Sequence, residues 1–199
     1  MRALVARAPQ HRFVCFGDRR AHEAFPLDAP NVERVVVGKR AEVEMILVAL
    51  LCGGHVLIED VPGVGKTFFG VILAAISDAK FARIQGRADL QPTEVVGFQM
   101  INPATGELIT EFGPLASAEA ILLDEINRIP LKSQSAFLEG LQDRTVTVGK
   151  TTYELPAFNF AIATMNPVEL GQGTFPLSEA ATDRFAIMVN IGYLPPEEE

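Results

Sequence analysis

The chain has 199 residues, 48% apolar and 21% charged, which suits one ordinary domain with or without an extension and excludes global disorder. No apolar run approaches the ~20 residues of a membrane-spanning helix; the longest, Met45 to Leu51, reads as part of a buried helix. The net charge of −8 is uneven, with eight Lys/Arg against four Asp/Glu in residues 1–40 and nine against twenty-one in the remainder, so the acidic main part lacks the basic stripe of a phosphate-backbone binder and nucleic acid is not the expected ligand.

Residues 1–30 carry Arg2, Arg7 and Arg12 before the first acid, Asp18, and no serine occurs before Ser77. No targeting pattern is complete, so this stretch reads as a poorly ordered extension and the protein as cytoplasmic. Cys15 and Cys52 form no CxxC and have no histidine cluster beside them. That pattern fits a reducing compartment and offers no metal or redox site.

From Glu33 to Cys52, Val36, Val43, Ile46, Leu47 and Leu50 fall at helical spacing, and Gly53-Gly54 ends the helix. His55 to Glu59 is a short buried strand, followed by a glycine-rich turn and a helix to about Ser77. Phe81 to Gln85 is a strand, and residues 98–112 form a hairpin turning at Asn102-Pro103-Ala104-Thr105-Gly106. Ala120 to Leu123 is a fully apolar strand ending in two acids, and a helix runs from about Leu131 to Gln142. A second hairpin places Val146 and Val148 on one arm, and Tyr153 and Leu155 on the other. Phe158 to Thr164 and Phe185 to Asn190 are further strands. Apolar strands alternating with helices predict an α/β fold on a parallel sheet. Pro195-Pro196 followed by Glu197, Glu198 and Glu199 reads as the start of a helix, as if the sequence were cut short there.

The richest chemical signal is Asp60-Val61-Pro62-Gly63-Val64-Gly65-Lys66-Thr67-Phe68, set between a strand and a helix. Gly63 and Gly65 allow backbone N–H groups to close around phosphate oxygens, and the following helix points its positive end there. Lys66 supplies a cation to the β- and γ-phosphates, and the Thr67 hydroxyl can ligate Mg²⁺. The complete phosphate-loop pattern has glycine where this chain has Asp60, which leaves binding intact and turnover open.

The second signal is Ile121-Leu122-Leu123-Asp124-Glu125, a buried strand delivering two carboxylates to its C-terminal end, where open α/β sheets place ligands. Asp124 would hold Mg²⁺ and Glu125 would activate the attacking water. Asn166, in Thr164-Met165-Asn166-Pro167, reads either as a water- or γ-phosphate-contacting group or as a turn residue. Arg184 reads either as a surface partner of Asp183 or as an arginine finger for a neighbouring subunit.

Together these segments resemble the MoxR family of AAA+ ATPases. Besides the motifs above, the resemblance rests on Val35-Val36-Val37-Gly38-Lys39, Gly53-Gly54-His55, Arg83-Ile84-Gln85, Asp89-Leu90, Gly113-Pro114, Asp124-Glu125-Ile126-Asn127-Arg128, Ser133-Gln134-Ser135, Val146-Thr147-Val148 and Asp183-Arg184-Phe185. It implies a phosphate-loop NTPase three-layer sandwich spanning 31–194, with 195–199 beginning a helical lid that is not present. The 98–112 hairpin resembles the helix-2 insert, and the 146–155 hairpin the pre-sensor-1 insert. In this family such inserts line a ring pore or face clients. Val37 and Gly38 would line the adenine pocket, Pro62 to Phe68 would cradle the phosphates as Walker A, and Asp124 and Glu125 would be Walker B. Asn166 would be sensor 1, Arg184 the finger in trans, and Arg128 a contact to the neighbouring subunit. The implied cofactors are ATP and Mg²⁺. The implied partners are further copies in a hexameric ring, a von Willebrand factor A-domain protein and a protein client. The expected function is chaperone-like remodelling or assembly of protein complexes driven by ATP hydrolysis. Two other readings stay open: a nucleotide-dependent scaffold with little turnover, and a nucleic-acid motor from a neighbouring AAA+ clade.

Overall fold

The computed structural model describes residues 39–59, 79–166 and 173–190. Helix α1 (Arg40–Leu51) leads to strand β1 (Val56–Glu59), and β2 (Phe81–Gln85) follows after the first gap. The short helix α2 (Pro92–Val96) opens the first hairpin, β3 (Gly97–Ile101) and β4 (Leu108–Phe112). Then come α3 (Pro114–Ser117), β5 (Ala120–Asp124), a 3₁₀ turn (Ile126–Arg128) and α4 (Leu131–Asp143). The second hairpin is β6 (Thr145–Val148) and β7 (Thr151–Glu154), followed by β8 (Phe160–Met165), α5 (Glu179–Thr182) and β9 (Ile187–Val189).

Five strands form one parallel sheet in the order β2-β5-β8-β1-β9. Its inner strands read as continuous apolar runs because both faces are covered. On one face, Val56, Ile58, Leu122, Phe160, Ile162 and Val189 meet Val43, Ile46, Leu47 and Leu50 of α1. The alternate residues Leu57, Ile121, Leu123, Ala161 and Ala163 join Phe137, Leu138 and Leu141 of α4 on the other. The period-2 alternation of each strand thus builds the expected three-layer sandwich.

Within the described residues the expected elements recur with shifted ends. Gly53, at φ 69°, terminates α1, a conformation glycine adopts without strain. β8 begins at Phe160, two residues later than its apolar run. At the last strand, Phe185 is buried in a turn, its N–H donating to the Thr182 carbonyl, and pairing starts only at Ile187. Both hairpins are present and pack on each other: Phe112 and Tyr153 form an edge-to-face ring pair with centroids 4.8 Å apart. Thr110 Oγ1 also lies 3.2 Å from the Tyr153 hydroxyl. The short helices α2 and α3 carried too few residues to show a period. The part of the first helix before residue 39, the glycine-rich turn with its following helix, and the two terminal segments lie outside the described residues.

Candidate functional site

Strand order locates the site. β1 lies between β8 and β9, with the chain running to β2 at the far edge and returning strand by strand before crossing to β9. Ligands of open α/β sheets bind outside the carboxyl ends of the strands at such a reversal. Glu59, the last residue of β1, stands beside Met165 of β8. Asp124 ends β5 beside Gln85 of β2, and Leu123 pairs with Ala163. Asp124 and Glu125 at the end of β5, Asn166 after β8, and Glu59 at the end of β1 therefore share one end of the sheet.

Asp124 is 5% exposed, and its carboxylate is held from two sides. Arg83 Nε donates to Oδ2 at 2.7 Å, and Arg83 Nη2 lies 2.7 Å from the same oxygen. The Thr164 hydroxyl donates to Oδ1 at 3.3 Å. Thr164 Oγ1 also accepts the Glu125 N–H at 3.0 Å, so one buried hydroxyl orders both acids. Glu125 sits in the left-handed region, φ 56° and ψ 54°, which turns the chain sharply off the strand and costs a residue with a Cβ about 1 kcal/mol. Its Oε2 accepts from Gln85 Nε2 at 3.0 Å and pairs with Arg128 Nε at 3.4 Å. Gly86 passes under this bend, and its N–H donates to the Asp124 carbonyl at 2.7 Å. A Cβ there would lie 2.1 Å from the Glu125 carbonyl oxygen. Only glycine fits.

Behind the acids lies a buried polar frame. Asn127 is 1% exposed, and its Nδ2 donates to the Asn166 carbonyl at 3.1 Å. This bond ties the loop after β5 to the loop after β8. Asn127 Oδ1 is buried and has no hydrogen-bond partner among the described residues. Buried Gln134 of α4 turns its amide toward the carbonyls of Ile126, Ile129 and Phe175. The Phe175 N–H in turn donates to the Asn127 carbonyl. Asn166 itself is buried.

Arg184 is placed elsewhere. It precedes β9, and Ala186, two residues on, donates its N–H to the His55 carbonyl just ahead of β1. That is the amino end of the sheet. At ~3.3 Å per residue, β5 alone separates the two ends by ~15 Å. Arg184 Nε donates to Gln142 Oε1 near the end of α4 at 3.0 Å, rather than pairing with Asp183. It borders a cleft of about 190 Å³ with Ser135, Glu139 and Ser178. At the same end, His55 Nδ1 accepts the Ala161 N–H at 3.2 Å. Burial lowers the His55 pKa to about 4, against an opposing backbone hydrogen bond at Leu141 and helped by the charge of Arg144.

Of the site residues read from sequence, Asp124, Glu125 and Asn166 come together and Arg184 stands apart. Val37, Gly38 and the Pro62-to-Phe68 segment lie outside the described residues. Sequence reasoning assigned no role to Arg83, Gln85, Thr164, Asn127 or Gln134. The alternation of Arg83 and Gln85 around buried Ile84 placed them on one face, but the register that sets them against Asp124 is long-range.

A five-stranded parallel sheet between helical layers, with a buried aspartate and a partly buried glutamate at its carboxyl end, defines an AAA+-type α/β fold. The ATPase family associated with various cellular activities (AAA) matches residues 55–187, and the chain belongs to that family. It is 45% identical over 169 residues to the chaperone MoxR1 of Mycobacterium tuberculosis, covering 85% of this chain and 44% of that protein. It is 46% identical over 169 residues to the uncharacterized protein YeaC of Bacillus subtilis, covering 85% of this chain and 52% of that one. The crystal structure of a suspected ATPase from Cytophaga hutchinsonii superposes with a TM-score of 0.73 at 41% identity, over 85% of this chain and 51% of that chain. The chain thus spans about half the length of the curated relatives it matches.

Proposed function

We propose that residues 31–194 form the nucleotide-binding core of a MoxR-like ATPase that binds and hydrolyses Mg-ATP to remodel or assemble protein complexes. One observation carries this reading: Asp124 and Glu125 leave β5 at the carboxyl end of the sheet, bound through Thr164 to β8, the strand that ends at Met165 just before Asn166. The glycine-rich segment begins directly after β1, whose last residue pairs with Met165.

In this reading Pro62 to Phe68 cradle the phosphates, Val37 and Gly38 line the base, and Lys66 neutralises the γ-phosphate. A buried carboxylate and a hydroxyl are hard oxygen donors of the kind Mg²⁺ takes, so Asp124 and Thr67 would hold it. The ion supplies charge neutralisation on the transferring phosphoryl group. Glu125, held on one oxygen by Gln85 and Arg128, accepts the proton of the attacking water. Asn166, its backbone anchored by Asn127, orients that water. Arg184 is a sheet's length from these groups, so it serves the site of a neighbour and the active form is a ring, hexameric as in the family.

The hairpin face bearing Phe98 and Met100, with Ile101 and Leu108 at its tip, leaves these apolar side chains 42–65% exposed. It is the surface offered to a protein client, with a von Willebrand factor A-domain protein as working partner. The compartment proposed is the cytoplasm; among the described residues no helix is long and apolar enough to cross a membrane.

Asp60, standing where the phosphate-loop pattern has glycine, favours a second reading: a nucleotide-dependent scaffold with little turnover. Glu125→Gln separates the two. A hydrolase loses turnover by at least about a hundredfold while still binding labelled ATP. Turnover at the level of this variant in the wild type, with ATP bound, would establish the scaffold.

A further inference from the structure

Arg83 occupies one oxygen of the carboxylate that the proposed function assigns to a metal ion. Its Nε and Nη2 both converge on Asp124 Oδ2 at 2.7 Å, and Nη2 also donates to Gln85 Oε1 at 2.9 Å. Gln85 then donates from Nε2 to Glu125 Oε2 at 3.0 Å. Two side chains of β2 therefore link the metal-holding carboxylate to the base carboxylate in one continuous chain. The burial of the ion pair is lopsided: the Arg83 side chain is 50% exposed, and that of Asp124 only 6%. The carboxylate is fixed by the sheet and by Thr164. The guanidinium lies on an edge strand with solvent on one side, so it is the member free to move.

A buried carboxylate without a counter-charge is costly. One carboxylate oxygen cannot carry both a guanidinium fork and a divalent cation at full strength, because the two cations repel across it. We infer that Arg83 is a placeholder cation: it neutralises Asp124 while the site is empty of metal and gives up Oδ2 when a metal–nucleotide complex is loaded. On leaving Asp124 it also releases Gln85, so metal loading is felt at Glu125. The inference rests on the nucleotide reading above and deepens it, assigning Arg83 a positioning role.

The test is Mn²⁺ binding, followed by electron paramagnetic resonance in the presence of a non-hydrolysable ATP analogue. Arg83→Gln is expected to lower the half-saturating Mn²⁺ concentration roughly fivefold, the scale of a half-exposed ion pair. Arg83→Lys, which keeps the charge but loses the fork, shifts it the same way by less and carries the test should the glutamine variant not fold. In an Asp124→Asn background, Arg83→Gln produces no further tightening. Thermal melting supplies a second readout: Arg83→Gln lowers the midpoint more in EDTA than with Mg²⁺ and the analogue present. Wild-type Mn²⁺ binding left unchanged or weakened in both Arg83 variants would overturn the placeholder role and leave the nucleotide reading standing. A wild type that takes up neither Mn²⁺ nor the analogue would overturn both together.

Discussion

The two ends of the central sheet are built differently. At the carboxyl end, polar groups are buried and heavily bonded: Asp124, Thr164, Asn127, Gln134 and Asn166 are each at most 5% exposed. This end also holds a strained left-handed Glu125 and an amide oxygen on Asn127 with no partner among the described residues, features that fold stability alone would not retain. At the amino end, His55 accepts the Ala161 N–H, and the partly buried Arg184 borders a cleft and bonds to Gln142. One end holds its polar groups in fixed positions, as the proposed chemistry requires. The other presents a charge outward, a layout that suits a site completed by a second copy.

Substitutions can break this contrast. The largest effect is expected at Gly86, where any Cβ strikes the backbone of both acids. Gly86→Ala should cost about 3 kcal/mol by urea unfolding and take hydrolysis with it. Tolerance of alanine there would show the carboxyl end to be looser than described.

Acid should reveal the amino end. The folded-state pKa of His55, about 4, lies below the ordinary value of 6.5, so the unfolded chain binds the extra proton first. Its contribution is complete above pH 6.5, declines as pH falls from 6.5 to 4, and totals about 3 kcal/mol. Replacing His55 with Gln should remove this segment from a plot of unfolding free energy against pH. A plot unchanged by the substitution would mean that His55 is not buried in its neutral form.

Gln134→Ala leaves three loop carbonyls without their shared donor. It should cost about 2 kcal/mol by urea unfolding and slow hydrolysis through the Asn127–Asn166 link. Full activity at reduced stability would limit Gln134 to a structural part. The smallest stability effect belongs to Arg184→Ala, within about 0.5 kcal/mol, although hydrolysis should fall by a factor of about 10³ or more if Arg184 is a finger.

Much of this was legible in the sequence because the signals were local. The apolar runs of β1, β5 and β8 announced a doubly covered parallel sheet, and Asp124-Glu125 at the end of one of them marked the candidate site. Element ends were less legible: Phe158 and Phe185 look like strand residues, yet the chain turns at both. Arg83, Thr164 and Asn127 were silent for another reason. Their partners lie 41, 40 and 39 residues away, and a strand pattern does not reveal which residue its neighbour aligns beside it. The separation of Arg184 from the acids likewise follows from register, which is why sequence left both of its readings open.

Whether Arg184 completes the site of another subunit is tested directly by mixing two inactive variants. Glu125→Gln supplies an intact Arg184 but no base; Arg184→Ala supplies an intact base but no finger. Each alone should hydrolyse ATP at background rate while binding it, and the account predicts that mixing them restores part of the wild-type rate, increasingly so with protein concentration. A mixture as inactive as its components, although both bind ATP and associate, would contradict it.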